Sequence, residues 1–400
     1  MRNRPRAMPI RVLSLWAFVL SAALPCALRG AETDDNVIET FDVARNGDFL
    51  LIPVQIAGKT YDFLVDTGAD LSALDDSFRA ELTAAARRSI TLNGTGDYAF
   101  YEMPAGFVGK SKFPLPPEAI CLDLSALRDL SGFDIRGILG MDFLKHHVLR
   151  IDFDDGRLSV LRSGENSPGA KLKLDYDRNC ATVNVRFSPN TSAELLIDTG
   201  LRGTYAGTLK SNTFNDLAEI GFLRLAAKPA RTINVNGEHY RRKARLASLQ
   251  LGDFRHGQLG FYEGPLNALG LNYLSRYTVT LDFPNGMVYL NPGKRFSEPM
   301  QFDMSGILIV SKAGDLLVKE IANGSPAAAL GLHAGDRLFE IDGQSCADFS
   351  VFELNRLLSE DGRRVRISVQ RENKEFDIVV LLADWEKSKP SAPETKLRKR

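Results

Sequence analysis

Two carboxylates in matching settings are the residues of this chain best suited to act together. Asp66 lies in Phe63-Leu64-Val65-Asp66-Thr67-Gly68-Ala69, and Asp198 lies in Leu195-Leu196-Ile197-Asp198-Thr199-Gly200-Leu201. In each, an apolar strand runs straight into an Asp-Thr-Gly turn. A carboxylate there must be paired or serve a purpose, because an apolar setting disfavours its charge. A single such tripeptide marks only a strand-ending turn, where Asp and Gly are favoured for local reasons. Two of them suggest a pair that shares one proton, since two adjacent carboxylates cannot both ionise cheaply. The ionised member then takes a proton from a water while the other donates to a carbonyl oxygen. That chemistry calls for no metal and no cofactor, and none is expected.

The surroundings of the two turns repeat as well. Gly137-Ile138-Leu139-Gly140-Met141-Asp142-Phe143-Leu144 follows the first, and Asn267-Ala268-Leu269-Gly270-Leu271-Asn272-Tyr273-Leu274 follows the second. Asp66 and Asp198 are 132 residues apart, and Gly140 and Gly270 are 130 apart. A near-constant offset of that size exceeds a solenoid period and predicts a duplicated lobe of domain size.

On these paired motifs each half resembles a retropepsin-like aspartic protease lobe, and the first resembles the bacterial putative aspartyl proteases in particular. The resemblance covers about residues 45–295. It implies that Thr67 and Thr199 cross-brace the turns and that Gly68 and Gly200 let the backbones approach. It also implies a flap over substrate at Asn93, Gly94, Gly96 and Tyr98, with a counterpart at Asn236 and Gly237. The second turn departs from the pattern, with Leu201 and then Arg202 after the glycine. A guanidinium close to Asp198 would favour its charged form and interfere with proton sharing.

Coarse structure follows from pattern. Strands are expected on either side of the Ala57-Gly58-Lys59 turn, a helix over residues 75–82 capped by Asp75, and a second helix near residues 211–220. The basic run Arg241, Arg242, Lys243 and Arg245 is expected on a solvated face. A linker is expected at residues 162–170, where Ser163, Gly164, Pro168 and Gly169 cluster.

From Met304 the pattern changes. Ser305-Gly306-Ile307-Leu308-Ile309-Val310, then Gly324-Ser325-Pro326-Ala327, then Gly335-Asp336-Arg337-Leu338 resemble a PDZ domain of the bacterial protease-associated type. The resemblance implies capture of peptide or protein C-termini by strand addition. Gly306, Ile307, Leu308 and Ile309 would form the carboxylate loop, with Phe352, Leu354 and Leu357 on the accompanying helix.

Composition bounds the rest. Fifty basic and fifty acidic residues in 400 give no net charge, and nothing in their distribution calls for nucleic acid. Residues 1–30 hold five Arg and no acid, with an apolar run from Val12 to Leu24. They read as a signal peptide for export to the periplasm or exterior, with membrane attachment only if the segment stays uncleaved. Cys121, Cys180 and Cys346 are too dispersed for a disulfide framework, and the five His have no metal-ligand spacing.

The fold expected is therefore mainly β: two duplicated retropepsin-like lobes (residues 31–165 and 166–298), a PDZ domain (299–385) and a disordered basic tail (386–400). The function expected is an exported aspartic endopeptidase acting on polypeptides. The alternatives are a non-catalytic peptide-binding protein that keeps the cleft, and a protease working as a homodimer of the first lobe.

Overall fold

The computed structural model describes residues 34–91, 97–226, 228–234, 237–372 and 374–385. Residues 1–30, the tail 386–400 and the flap candidates Asn93, Gly94, Gly96 and Asn236 lie outside the described residues.

Each candidate turn is held at the centre of a sheet because the strand leading into it is apolar on both faces. Phe63, Leu64 and Val65 are 0–2% exposed. Their strand, Lys59–Val65, pairs antiparallel with Leu51–Ile56 and parallel with Ile135–Leu139. Ile135–Leu139 in turn pairs antiparallel with Ala73–Asp75, so the chain leaving Asp66 returns beside the strand that flanks it. The same arrangement recurs around the second turn. Thr191–Ile197 pairs antiparallel with Cys180–Ser188 and parallel with Ala268–Leu269, which pairs antiparallel with Gly207–Lys210. These strands belong to a nine-stranded and an eight-stranded sheet respectively.

A third, six-stranded sheet joins the halves. Val148–Asp152 pairs antiparallel with Tyr277–Asp282, Arg150 standing opposite Thr280. Residues on either side pair evenly about that position, Val148 with Asp282 and Asp152 with Thr278. One hydrophobic core runs through all of this, from Phe41 to Leu290.

The smaller elements agree with the sequence expectations. Asp76–Glu81 is a 3-10 helix whose cap Asp75 accepts from the Ser77 amide, and Ser211–Glu219 is an α-helix. Cys121, Cys180 and Cys346 are free and buried.

The C-terminal sheet has its own core, including Ile309, Val318, Leu338, Leu354 and Val380. Its strands run in the order Ile307–Lys312, Asp315–Ile321, Arg337–Ile341, Arg364–Arg371, Lys374–Leu381. Helix Val351–Leu357 packs beside the first of them and starts with a reciprocal cap between Ser350 and Glu353. Only part of the basic run at residues 241–245 is a solvated face, Arg242 being exposed and Lys243 buried. Lys243 is 7% exposed and lies over the Trp385 ring, while Arg245 pairs with Asp384 at 2.9 Å and stacks on Phe302. Arg242 pairs with Glu263. Lys243 and Arg245 thereby fasten residues flanking the C-terminal sheet to the strands of the second half.

Candidate active site

Both aspartates are placed by backbone bonds of the same kind. The Asp66 amide donates to Leu139 O at 3.0 Å, and the Asp198 amide donates to Leu269 O at 2.9 Å. The Met141 amide then donates to Ala69 O, and the Leu271 amide to Leu201 O, each at 2.8 Å. These contacts close each Asp-Thr-Gly turn onto the apolar-Gly segment that follows it in sequence.

The two turns lock onto one another. The Thr67 amide donates to Thr199 Oγ1 at 3.0 Å, and the Thr199 amide donates to Thr67 Oγ1 at 3.1 Å. Each hydroxyl passes its own proton across: Thr67 Oγ1 to Ile197 O at 2.5 Å, and Thr199 Oγ1 to Val65 O at 2.7 Å. Both threonines are fully buried, so these four bonds form away from water.

The glycines are required by the same closeness. A Cβ on Gly68 would stand 2.5 Å from the Asp198 carboxyl carbon, and one on Gly200 would stand 2.3 Å from that of Asp66. Each carboxyl therefore lies directly against the opposite turn's glycine. The Gly68 amide donates to Asp66 Oδ1 at 2.8 Å, and the Gly200 and Leu201 amides donate to Asp198 Oδ1 at 3.0 and 2.9 Å.

Electrostatics follow from this enclosure. Each aspartate keeps part of its surface open, yet protein surrounds both carboxyls. Burial raises both pKa values, and the charge on Asp66 raises that of Asp198 further. The backbone donors at Gly68, Ala69 and Gly200 work the other way on Asp66. The arrangement is one that retains a proton above the ordinary carboxylate range.

Arg202 does not approach Asp198 as its sequence position suggests. Its guanidinium turns to Asp48 at 2.9 Å, stacks over Phe49 at 4.6 Å and donates to Leu130 O at 3.2 Å. Both partners of the ion pair are buried, with side chains 6% and 5% exposed. Asp48 thus absorbs the charge that would have held Asp198 ionised, a role that no local signal at Asp48 announces. A second support is Asp142, which accepts from the amide and hydroxyl of Ser72, while Ser72 Oγ accepts from the Gly140 amide. The Leu139-to-Leu144 motif contains Asp142; its partner Ser72 is invisible until the chain folds.

The other expected site residues divide. Tyr98 lies in strand Asp97–Glu102, which pairs with Ala84–Thr91, so the first hairpin exists beside its undescribed tip. Gly237 begins strand Gly237–Arg241, which pairs with Ala230–Asn234 as a separate two-stranded ribbon. In the C-terminal sheet, Gly306 precedes the edge strand, and Ile307, Leu308 and Ile309 lie within it. Of the three helix residues, Phe352 lines a cavity with Ile307 and Leu308, whereas Leu354 is wholly in the core and Leu357 packs against that core. Leu354 is therefore a structural residue. The PDZ resemblance implies a place for Leu354 beside the ligand, but on this helix Phe352, Asn355 and Arg356 line the cavity instead. Among the described residues no group of three or more His, Cys, Asp or Glu side chains is arranged to hold a metal ion.

Comparison with known proteins bears on both parts of the chain. A search of curated proteins found no match. Among solved structures, a photosystem II D1 C-terminal processing protease is similar at 21% identity with a TM-score of 0.20. That match covers 22% of this chain and 25% of the other, so the chain spans about a quarter of that protein's length. A family model described as aspartyl protease matches residues 52–143, which include Asp66 and the Gly140 segment. A family model described as PDZ domain matches residues 317–371. The chain thus carries an aspartyl protease domain and, C-terminal to it, a PDZ domain.

Proposed function

We propose that the protein is an aspartic endopeptidase whose dyad is Asp66 and Asp198, one carboxyl from each of two duplicated lobes within a single chain. The observation that carries this reading is the reciprocal bonding of Thr67 and Thr199, which sets each carboxyl against the opposite turn inside one polypeptide. It supports a single-chain dyad over a dimer of the first lobe, because the partner turn is already supplied.

The reaction proceeds from the singly protonated pair. The ionised carboxyl removes a proton from a water whose oxygen bonds to the scissile carbonyl carbon. The protonated carboxyl gives its proton to the carbonyl oxygen, forming a neutral tetrahedral diol. The protonated carboxyl then gives its proton to the amide nitrogen while the ionised one takes a proton from a diol hydroxyl, the C–N bond breaks as the carbonyl re-forms, and the pair is again singly protonated. Preorganised turns contribute by holding both carboxyls at fixed separation through these steps. Residues 1–30 support action outside the cytoplasm on exported or extracellular polypeptides.

The test is cleavage of casein by the full chain across pH 3–9, beside Asp66→Asn and Asp198→Asn, with and without pepstatin. Loss of cleavage in both single variants is expected. Undiminished cleavage by Asp198→Asn would remove the shared dyad, and cleavage by both variants would remove the aspartic mechanism.

A further inference from the structure

Strand Ile307–Lys312 is an edge strand, bonded on one side only, to Asp315–Ile321. An edge beside a helix is where strand addition would seat a peptide. Here that edge is covered. Helix Ser125–Ser131, which belongs to the aspartyl protease match, packs alongside it and also touches helix Val351–Leu357. At the helix end, a Cβ on Gly132 would lie 3.1 Å from Ser311 Cβ. Consecutive strand residues point to opposite faces, yet Val310 and Ser311 are both 9% exposed.

The loop before the strand is occupied as well. The Gly306 amide donates to Asp303 Oδ2 at 2.9 Å, and the Ile307 amide donates to Ser305 Oγ at 3.1 Å. The donors expected to receive a peptide carboxylate are engaged by side chains of the same loop. What stays open is a cavity of about 260 Å³ lined by Leu130, Ile307, Phe352 and Arg356 among others. Arg356 Nε is buried in it without a hydrogen-bond partner among the described residues, and Arg295 adds a second cation nearby.

We propose that helix Ser125–Ser131 is a built-in occupant of the PDZ groove, and that peptides ending in a free carboxylate enter only by displacing it. Leu130 in its last turn lines the cavity without filling it, leaving Arg356 as the charged end-stop for the incoming carboxylate. The helix and the peptide exclude each other because both need the same edge and the same side of helix Val351–Leu357. The groove therefore has an apparent affinity reduced by the fraction of molecules in which the helix has lifted. This inference rests on the PDZ groove and is independent of the dyad.

The experiment uses the full chain in an Asp66→Asn background, so that no cleavage is read and no probe is consumed. Leu130→Gly strips the side chain that reaches the cavity. Gly132→Cys with Ser311→Cys ties the helix to the strand; the 3.1 Å Cβ separation must open by a few tenths of an ångström, and the left-handed φ of +79° strains a side chain at Gly132, so the reduced double-cysteine protein is the reference for the oxidised one. Hydrogen exchange is read on residues 307–312, and binding is read with a pool of fluorescein-labelled decapeptides randomised over their last four residues. The expected result is exchange and pool affinity about tenfold greater in Leu130→Gly than in the parent. Binding is expected to vanish in the oxidised double-cysteine protein and to return on reduction. Equal exchange in parent and Leu130→Gly would overturn the covering helix. Faster exchange in Leu130→Gly without pool binding would overturn the displacement by peptides, as would equal binding by locked and unlocked protein.

Discussion

Replacing Thr199 with valine isolates the lock between the two turns. Valine matches threonine in shape and removes only the hydroxyl. The loss strands the Thr67 amide, which donates to Thr199 Oγ1 at 3.0 Å, and removes the 2.7 Å bond to Val65 O. Thr67 and Thr199 are 0% exposed, so water cannot substitute. An unsatisfied buried donor costs about 1–3 kcal/mol, and the net loss of a second bond adds about 1. The expected destabilisation is therefore about 2–4 kcal/mol, or on the order of 4–8 °C in Tm for a unit of this size. Urea unfolding and casein cleavage, read on the same preparations, give both consequences. The rate should fall more than substrate affinity, because the lock positions carboxyls and does not itself meet substrate. Thr199→Ser keeps the hydroxyl and should retain most of both. Thr67→Val should resemble Thr199→Val, and the double variant should cost less than the sum because the bonds are shared. A Thr199→Val protein within about 0.5 kcal/mol of the parent, with unchanged cleavage, would refute the claim that the turns hold each other.

Three further outcomes follow from the same geometry. Asp66 and Asp198 have pKa values raised by burial, so the native state binds protons that the unfolded chain has already released. Stability should fall as pH rises above about 4, where unfolded aspartate ionises, and continue falling through the raised native values. Asp198→Asn should accordingly raise Tm at pH 8 and barely alter it at pH 4; an equal gain at both values would contradict the burial cause. Arg202→Met leaves the Asp48 carboxylate buried and unpaired, which should cost about 3–5 kcal/mol, with partial recovery in Arg202→Met with Asp48→Asn; thermal unfolding of both proteins decides it. Gly200→Ala inserts a methyl 2.3 Å from the Asp66 carboxyl and should abolish cleavage, while Gly257→Ala, whose Cβ would meet only Ala247 O at 3.2 Å, leaves cleavage intact in the same assay.

The candidate site was legible in sequence to the extent that its signals are local. An apolar run that must be buried, ending in Asp-Thr-Gly, announces a buried carboxyl wherever it occurs, and its recurrence at an offset of 132 announces a pair. The order of glycine-bearing motifs after Met304 likewise marked the PDZ domain, since those turns depend on their own backbone. Leu354 shows where such reading stops. A leucine on a helix is equally compatible with groove and core, and helix rotation is set by the packing partner.

Partner choice between distant residues belonged to the tertiary structure alone. Arg202 meets Asp48 across 154 positions of sequence, and that pairing decides whether Asp198 feels a positive charge. Arg245 meets Asp384, and Lys243 meets Trp385, turning a run of cations into a fastening. Helix Ser125–Ser131 meets the PDZ edge. Charge and apolarity are written residue by residue in the chain, and they determine that each group needs a partner. Which partner it finds depends on which surfaces the folded sheets bring together, because an ion pair, a stacked ring or a covered strand edge is a property of two segments at once.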